Sequence, residues 1–220
     1  MLNIIKTLSV LAFAGACLAA PTSGDVTVTV KNSCSTDLHL YKLTNNGGDK
    51  STQDVSAGSS VDFKVANNWA GRIWGCRDGE ADCEKYGSAV SLAEFLFKGF
   101  EGSDFYDISF VDGFNLPMSI KPEAKSGSGY NCGVPTCASL PSCPKELQGD
   151  KGACKSACAA FGTDEYCCTG AFNDPKKCKA SQYADKFKAG CPDAYSFAYD
   201  DARSTFACDA TPKYTVTFCP

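Results

Sequence analysis

The chain has 220 residues, of which 44% are hydrophobic and 21% charged, with a formal net charge of -4 and 15 cysteines. That length can bury a real core, and a mildly acidic balance with no basic stripe excludes the electrostatic footprint of a nucleic-acid binder. His39 is the one histidine; it falls in an early strand, read as a surface or edge residue, which disfavours Ser/His/Asp catalysis, and a histidine-rich metal centre has no material.

Residues 1–19 read as a secretory signal peptide. Lys6 supplies the positive n-region, and Thr7 to Ala16 form an apolar run too short to span a bilayer. Cys17 and Ala19 are small residues at the positions a signal peptidase inspects, so cleavage is expected after Ala19 or one residue later. Removing Cys17 leaves fourteen cysteines, an even number that an oxidising compartment would join in up to seven disulfides. With no paired CxxC units, zinc is disfavoured. Neither a metal nor another cofactor is expected.

Val26, Val28 and Val30 alternate with Thr27 and Thr29, the pattern of a half-buried strand. A turn at Asn32–Ser35 precedes a strand at Leu38–Leu43, and NNGGD has hairpin chemistry. Val61, Phe63 and Val65 alternate in the next strand, and Arg72-Ile73-Trp74 begins another. Short strands with turn signals every eight to twelve residues point to a β-sandwich or barrel. Gly75–Gly87 is charged and bracketed by Cys76 and Cys83, an excursion pinned by a local disulfide.

Strand character returns at Ser91–Phe100. Glu94 shares strand parity with Leu92 and Leu96, so simple alternation does not explain it, and a charge in such a place is paired or functional. Asp104–Met118, DFYDISFVDGFNLPM, sets Asp104, Asp107 and Asp112 among Phe105, Ile108, Phe110 and Phe114. Carboxylates there are costly unless paired or in touch with water, which points to a polar cleft set into a β-framework. Asp107 and Asp112 fall on opposite faces of an ideal strand, so the backbone must bulge or bend for both to reach one cleft, and Gly113 is the natural place. For the aromatic residues Phe105, Tyr106, Phe110 and Phe114, core packing is favoured over a place in a binding surface.

From Lys125 the texture changes. SGSGYNCG is linker-like, and eight cysteines lie between Cys132 and Cys178. CKSACAAFG suggests a short helix with Cys154 and Cys158 one turn apart on one face. SQYADKFKAGCP suggests a second, capped by Ser181, ended by Gly190 and stopped by Pro192. Strand alternation resumes at Tyr214–Cys219, and the closing cysteine suggests a staple back to the first strand near Cys34.

DFYDISFVDGFNLPM resembles the central signature of the thaumatin-like proteins, the plant and fungal relatives of thaumatin and osmotin. VKNSC, GRIWG, SLAEF, the YCCTG block, CPDAYSFAYDD and YTVTFCP resemble other family segments in the same order. The resemblance covers nearly the whole chain after the leader. It implies a mainly β fold: a flattened β-sandwich, a disulfide-rich helical lobe, and a disulfide-braced loop domain that is shortened here. The segments would be sandwich at 20–75, 91–125 and 193–220, loop domain at 76–90 and helical lobe at 126–192. Carrying the family's bridges over implies Cys34–Cys219, Cys132–Cys208, Cys137–Cys191, Cys143–Cys154, Cys158–Cys167 and Cys168–Cys178, leaving Cys76 and Cys83 for each other. Larger plant members have one bridge more.

The resemblance also implies an acidic cleft between sandwich and helical lobe, lined by Arg72, Glu94, Asp107, Asp112 and Asp193. Two carboxylates flanking a sugar linkage are the minimum for glycoside hydrolysis. Glu94, in the more apolar setting, is expected as acid, with Asp112 as base or nucleophile. Arg72 would hold the carboxylates in place, while Asp107 and Asp193 bind sugar hydroxyls. The expected partner is β-1,3-glucan or another cell-wall polysaccharide, bound or slowly cleaved by a secreted, extracellular or wall-associated monomer. The alternative is a non-catalytic defence or wall-associated protein acting on a membrane or receptor. Without a cationic amphipathic helix, stable membrane insertion is not expected.

Overall fold

The computed structural model describes residues 24–80, 82–85, 87–123 and 125–220. The expected leader and its cleavage site lie outside them. The longer strands are, in chain order, β1 (Val26–Asn32), β2 (Leu38–Thr44), β3 (Lys50–Val55), β4 (Ser60–Val65), β5 (Ala70–Arg77), β6 (Leu92–Leu96) and β7 (Ser103–Ser109). After the two-residue β8 (Gly113–Phe114) come β9 (Met118–Pro122), β10 (Thr136–Cys137), β11 (Cys154–Lys155), β12 (Phe206–Asp209) and β13 (Lys213–Phe218).

They form two main sheets, one in the order β10-β9-β13-β1-β4 and the other β12-β7-β6-β5-β2-β3. In the first, β1 lies parallel to β13, so the two ends of the described chain are neighbours. The second is antiparallel throughout. Period-two alternation explains the layering. Val26, Val28 and Val30 are buried, as are Tyr214, Val216 and Phe218 from β13. They meet Leu40, Ile73, Ala93, Phe95, Tyr106 and Ile108 from the second sheet in one core. Tyr214 packs at its centre, with ring centroids 5.2 Å from Phe97, 5.3 Å from Tyr106 and 5.6 Å from Phe95.

Asp104 belongs to this framework. Its side chain accepts hydrogen bonds from Lys98 N (3.0 Å), Thr211 N (3.1 Å) and the Tyr214 hydroxyl (2.9 Å). Three donors compensate the desolvation of a residue only 1% exposed.

Residues 126–192 carry the three α-helices, α1 (Ala157–Phe161), α2 (Asp164–Cys167) and α3 (Gln182–Gly190). Ser156 caps α1 by accepting from Ala159 N, and Ser181 caps α3 by accepting from Ala184 N. One expectation is corrected: Cys154 and Cys158 do not share a helix face. Cys154 lies before the helix, on β11, where it pairs with Phe114 of β8, and the Ser156 cap fixes the helix start one residue later. Seven disulfides join Cys34–Cys219, Cys76–Cys83, Cys132–Cys208, Cys137–Cys191, Cys143–Cys154, Cys158–Cys167 and Cys168–Cys178.

The loop between β5 and β6 is tied down at several points. The Trp74 indole donates to Cys83 O at 3.0 Å. Glu80 Oε2 accepts from Arg77 N at 2.9 Å and from Asn115 Nδ2 at 3.2 Å. Trp74, Cys76, Cys83, Val90 and Leu92 make a small apolar cluster beneath it.

Candidate functional site: an acidic cleft on the second sheet

The register of β5, β6 and β7 assembles the site. Arg72 pairs directly with Glu94, and Glu94 with Asp107, so the three stand in one row across three neighbouring strands. Residues of opposite parity, Ile73, Ala93, Phe95, Tyr106 and Ile108, fill the core. The unexplained parity of Leu92, Glu94 and Leu96 is therefore that of the sheet's outer face. Arg72 Nε lies 3.5 Å from Glu94 Oε1, with their side chains 19% and 30% exposed. Arg72 Nη2 also donates to Asn45 Oδ1 at 3.3 Å.

Asp112 reaches the same cleft through a bend. After β7 ends at Ser109, Phe110 N–H donates to Tyr195 O at 2.9 Å, and Gly113 N–H donates back to Phe110 O at 3.0 Å, closing a turn. Gly113 has φ +126°, and a Cβ there would stand 2.2 Å from Cys154 O. Only glycine fits where the turn meets β11. Ser156 N, at the head of α1, donates to Asp112 O at 3.3 Å, so the helical lobe also holds the turn.

The cleft measures about 390 Å³ and is lined by Arg72, Glu94, Asp107 and Asp112 together with Leu92, Ser109, Val111, Tyr195 and Ala198. Asp193 is placed differently. It is absent from this lining, and its Oδ2 accepts from Thr136 N at 3.0 Å. The residues that reading the sequence missed are Tyr195 and Asp201. The Tyr195 hydroxyl donates to Asp201 Oδ1 at 2.9 Å and contacts Thr205 Oγ1. Tyr106, Phe110 and Phe114 are buried in the core, and Phe105 is half-buried.

Electrostatics follow from the crowding. Burial pushes the Glu94 carboxyl up; Arg72 and a hydrogen bond with Ser109 pull it down, and the charge of Asp112 raises it again. Asp107 is pushed well above the ordinary carboxylate range by burial and by the neighbouring Glu94, with Arg72 opposing and Asp201 adding to the rise. Its Oδ1 is buried without a hydrogen-bond partner, which adds to the cost of ionising it. Burial raises Asp112 against the pull of Arg72. One arginine thus faces three carboxyls that cannot all ionise freely, an arrangement suited to exchanging protons and hydrogen bonds with a polar, uncharged ligand.

Comparison with known proteins identifies the family. The sequence profile of the Thaumatin family matches residues 32–220. The chain is 39% identical to the pathogenesis-related thaumatin-like protein 3.5 of Cryptomeria japonica, over 98% of this chain and 97% of that one. It is 37% identical to a glucan endo-1,3-beta-glucosidase of Prunus avium, over 97% and 96% of the two chains. With thaumatin-like protein 1 of Arabidopsis thaliana it shares 38% identity over 90% and 87%. A mainly β, seven-bridge architecture, a family profile that spans all but the N-terminal residues, and full-length relatives at this identity together place the chain in the thaumatin family.

Proposed function

We propose that this is a secreted protein of the cell wall or extracellular space whose acidic cleft binds β-1,3-glucan and hydrolyses it slowly at internal linkages. The observation that carries the reading is the Arg72–Glu94–Asp107 row faced by Asp112 across an open cleft. A relative of similar length named for endo-1,3-glucan cleavage supports the choice of substrate. Seven disulfides fit an oxidising compartment, and no helix among the described residues is long and apolar enough to cross a membrane.

In this reading Glu94, its carboxyl raised by burial, protonates the glycosidic oxygen as the bond to the anomeric carbon breaks. Asp112, its carboxyl raised by burial against the pull of Arg72, activates water or attacks that carbon once ionised. Asp107, its carboxyl pushed up by burial and by Glu94, hydrogen-bonds a sugar hydroxyl. Asp193 would support the wall from the Thr136 side and not touch the sugar at the acid row. A second reading, binding without turnover, is favoured by the Arg72–Glu94 pair at 3.5 Å, since an ion-paired carboxylate is a poorer acid.

Reducing-sugar release from soluble β-1,3-glucan, run beside a pull-down on insoluble glucan, decides between them. Hydrolysis requires Glu94→Gln and Asp112→Asn each to lose at least about a hundredfold in rate while binding persists. A parent that binds without releasing sugar is a lectin-like wall protein. Failure of both assays ends the glucan reading.

A further inference from the structure

Beside the charged row runs an apolar one. Ala70 pairs with Leu96, and Leu96 with Phe105. They share the outer face with Arg72, Glu94 and Asp107, two residues further along each strand. Leu96 is 46% exposed. Just beyond, the β6–β7 hairpin carries Phe100, which at 75% is the most exposed large hydrophobic side chain among the described residues.

The hairpin holds that ring in place at a cost. Ser103 N–H donates to Phe100 O, with Glu101 at φ 53°, ψ 23° and Gly102 at φ +77° between them. This is a type I′ turn whose first central residue is glutamate where Asn, Asp or Gly is favoured. Lys98 is also left-handed, with φ 49°. Gly99 packs its backbone on the apolar row, since a Cβ there would come within 2.9 Å of Phe105 and 3.1 Å of Leu96. Two strained non-glycine residues that together display an aromatic ring to solvent suggest that the ring has a use.

A depression of about 660 Å³ lined by Leu43, Asn45, Ala70, Arg72 and Leu96 adjoins this row. It shares Arg72 with the acidic cleft. The two are therefore successive parts of one surface, not separate sites. β-Linked glucose carries its hydroxyls around the ring edge and leaves C–H faces above and below. A polar row flanked by an apolar one matches that chemistry.

We propose that Leu96, Phe105 and Phe100 form a distal subsite where a glucose ring of the bound polysaccharide stacks by its C–H face, while neighbouring units of the same chain lie over the charged row. The subsite rests on the glucan reading above and adds that affinity grows with chain length towards the β6–β7 hairpin.

Calorimetric titration of the parent and of the double variant Leu96→Ala/Phe100→Ala, with a β-1,3-linked glucose trimer and with soluble β-1,3-glucan polymer, tests it. Sedimentation of both proteins is measured alongside. The variant should bind polymer about tenfold more weakly, bind the trimer as the parent does, and sediment unchanged, and Phe100→Trp should keep polymer affinity. Equal polymer affinity in parent and variant overturns the subsite while leaving the glucan reading intact, as does equal loss for trimer and polymer. A parent that self-associates through Phe100, with the variant monomeric, overturns it in favour of a second copy of this chain as the occupant. A parent that binds neither sugar removes the glucan reading and the subsite together.

Discussion

Asp104 and Asp107 stand three residues apart on β7, and their opposite parity sends them to different fates. Asp104 shares the core face with Tyr106 and Ile108 and is satisfied by three donors. Asp107 shares the outer face with Phe105 and has a buried oxygen without a partner. Asp107 is raised in the folded state, so over the window between the ordinary carboxylate pKa and the raised one the folded protein holds more of this proton than the unfolded chain does. Its contribution is favourable below the ordinary carboxylate pKa and is lost as pH rises through the raised one. Asp107→Asn keeps the shape without the charge. Thermal unfolding should show a higher midpoint for this variant at neutral pH and a flatter rise in stability on acidification, with weaker glucan binding. A parent-like pH profile in the variant would contradict the raised carboxyl at Asp107. Glu94, Asp107 and Asp112 stood out in the sequence because each interrupts an apolar run, as Asp104 does too; Arg72 came only from the family resemblance. The aim of Asp193, and the part of Tyr195, were not legible. They lie in a segment without strand period, where a single backbone hydrogen bond such as Thr136 N to Asp193 decides the direction.

Among the elements, α3 depends on a buried charge that no periodicity reveals. Lys188 Nζ lies 2.7 Å from Asp200 Oδ2, with side chains 8% and 3% exposed. The ammonium also donates to Ala194 O and to the Ser204 hydroxyl, both at 2.6 Å. Asp200 accepts in turn from the backbone and hydroxyl of Ser196. This network pins the segment that carries Tyr195 against the helical lobe. Lys188→Met should cost about 3 kcal/mol, the lower end for breaking a buried pair, because Ser196 and Arg203, at 3.7 Å, still face Asp200; Lys188→Met with Asp200→Asn should recover part of it, read from denaturant unfolding. An unaltered midpoint in the single variant would remove the network from the framework of the cleft. The longer strands were readable from alternation, and the Ser181 cap from its place before α3, whereas the Ser156 cap emerged only in the structure. The start of α1 was misplaced because the spacing of Cys154 and Cys158 mimics one helical turn, whereas Cys154 is drawn onto β11 by its pairing with Phe114.

At the scale of the molecule, the mainly β character came from strand alternation and the number of bridges from an even cysteine count, while the pairings were implied by the family resemblance; alternation and cysteine count do not contain the strand order. The Cys34–Cys219 bridge spans 185 residues. Replacing both cysteines by serine should lower stability by about 5 kcal/mol, chiefly by freeing the unfolded chain, and a loss under about 1 kcal/mol would show that β1 and β13 hold without it. Their pairing also matters for the order of assembly. In the first sheet β13 sits between β9 and β1, so the pieces β9–β10 and β1–β4 have no common partner until β13 arrives. A protein emerging from the ribosome or a translocation channel would thus carry this sheet in two unjoined pieces until residues 213–218 are made. Closing it is expected to be slow because the joining contacts are remote in sequence, and in the meantime it depends on whatever shields Val28, Val30, Ile120 and their neighbours from other chains.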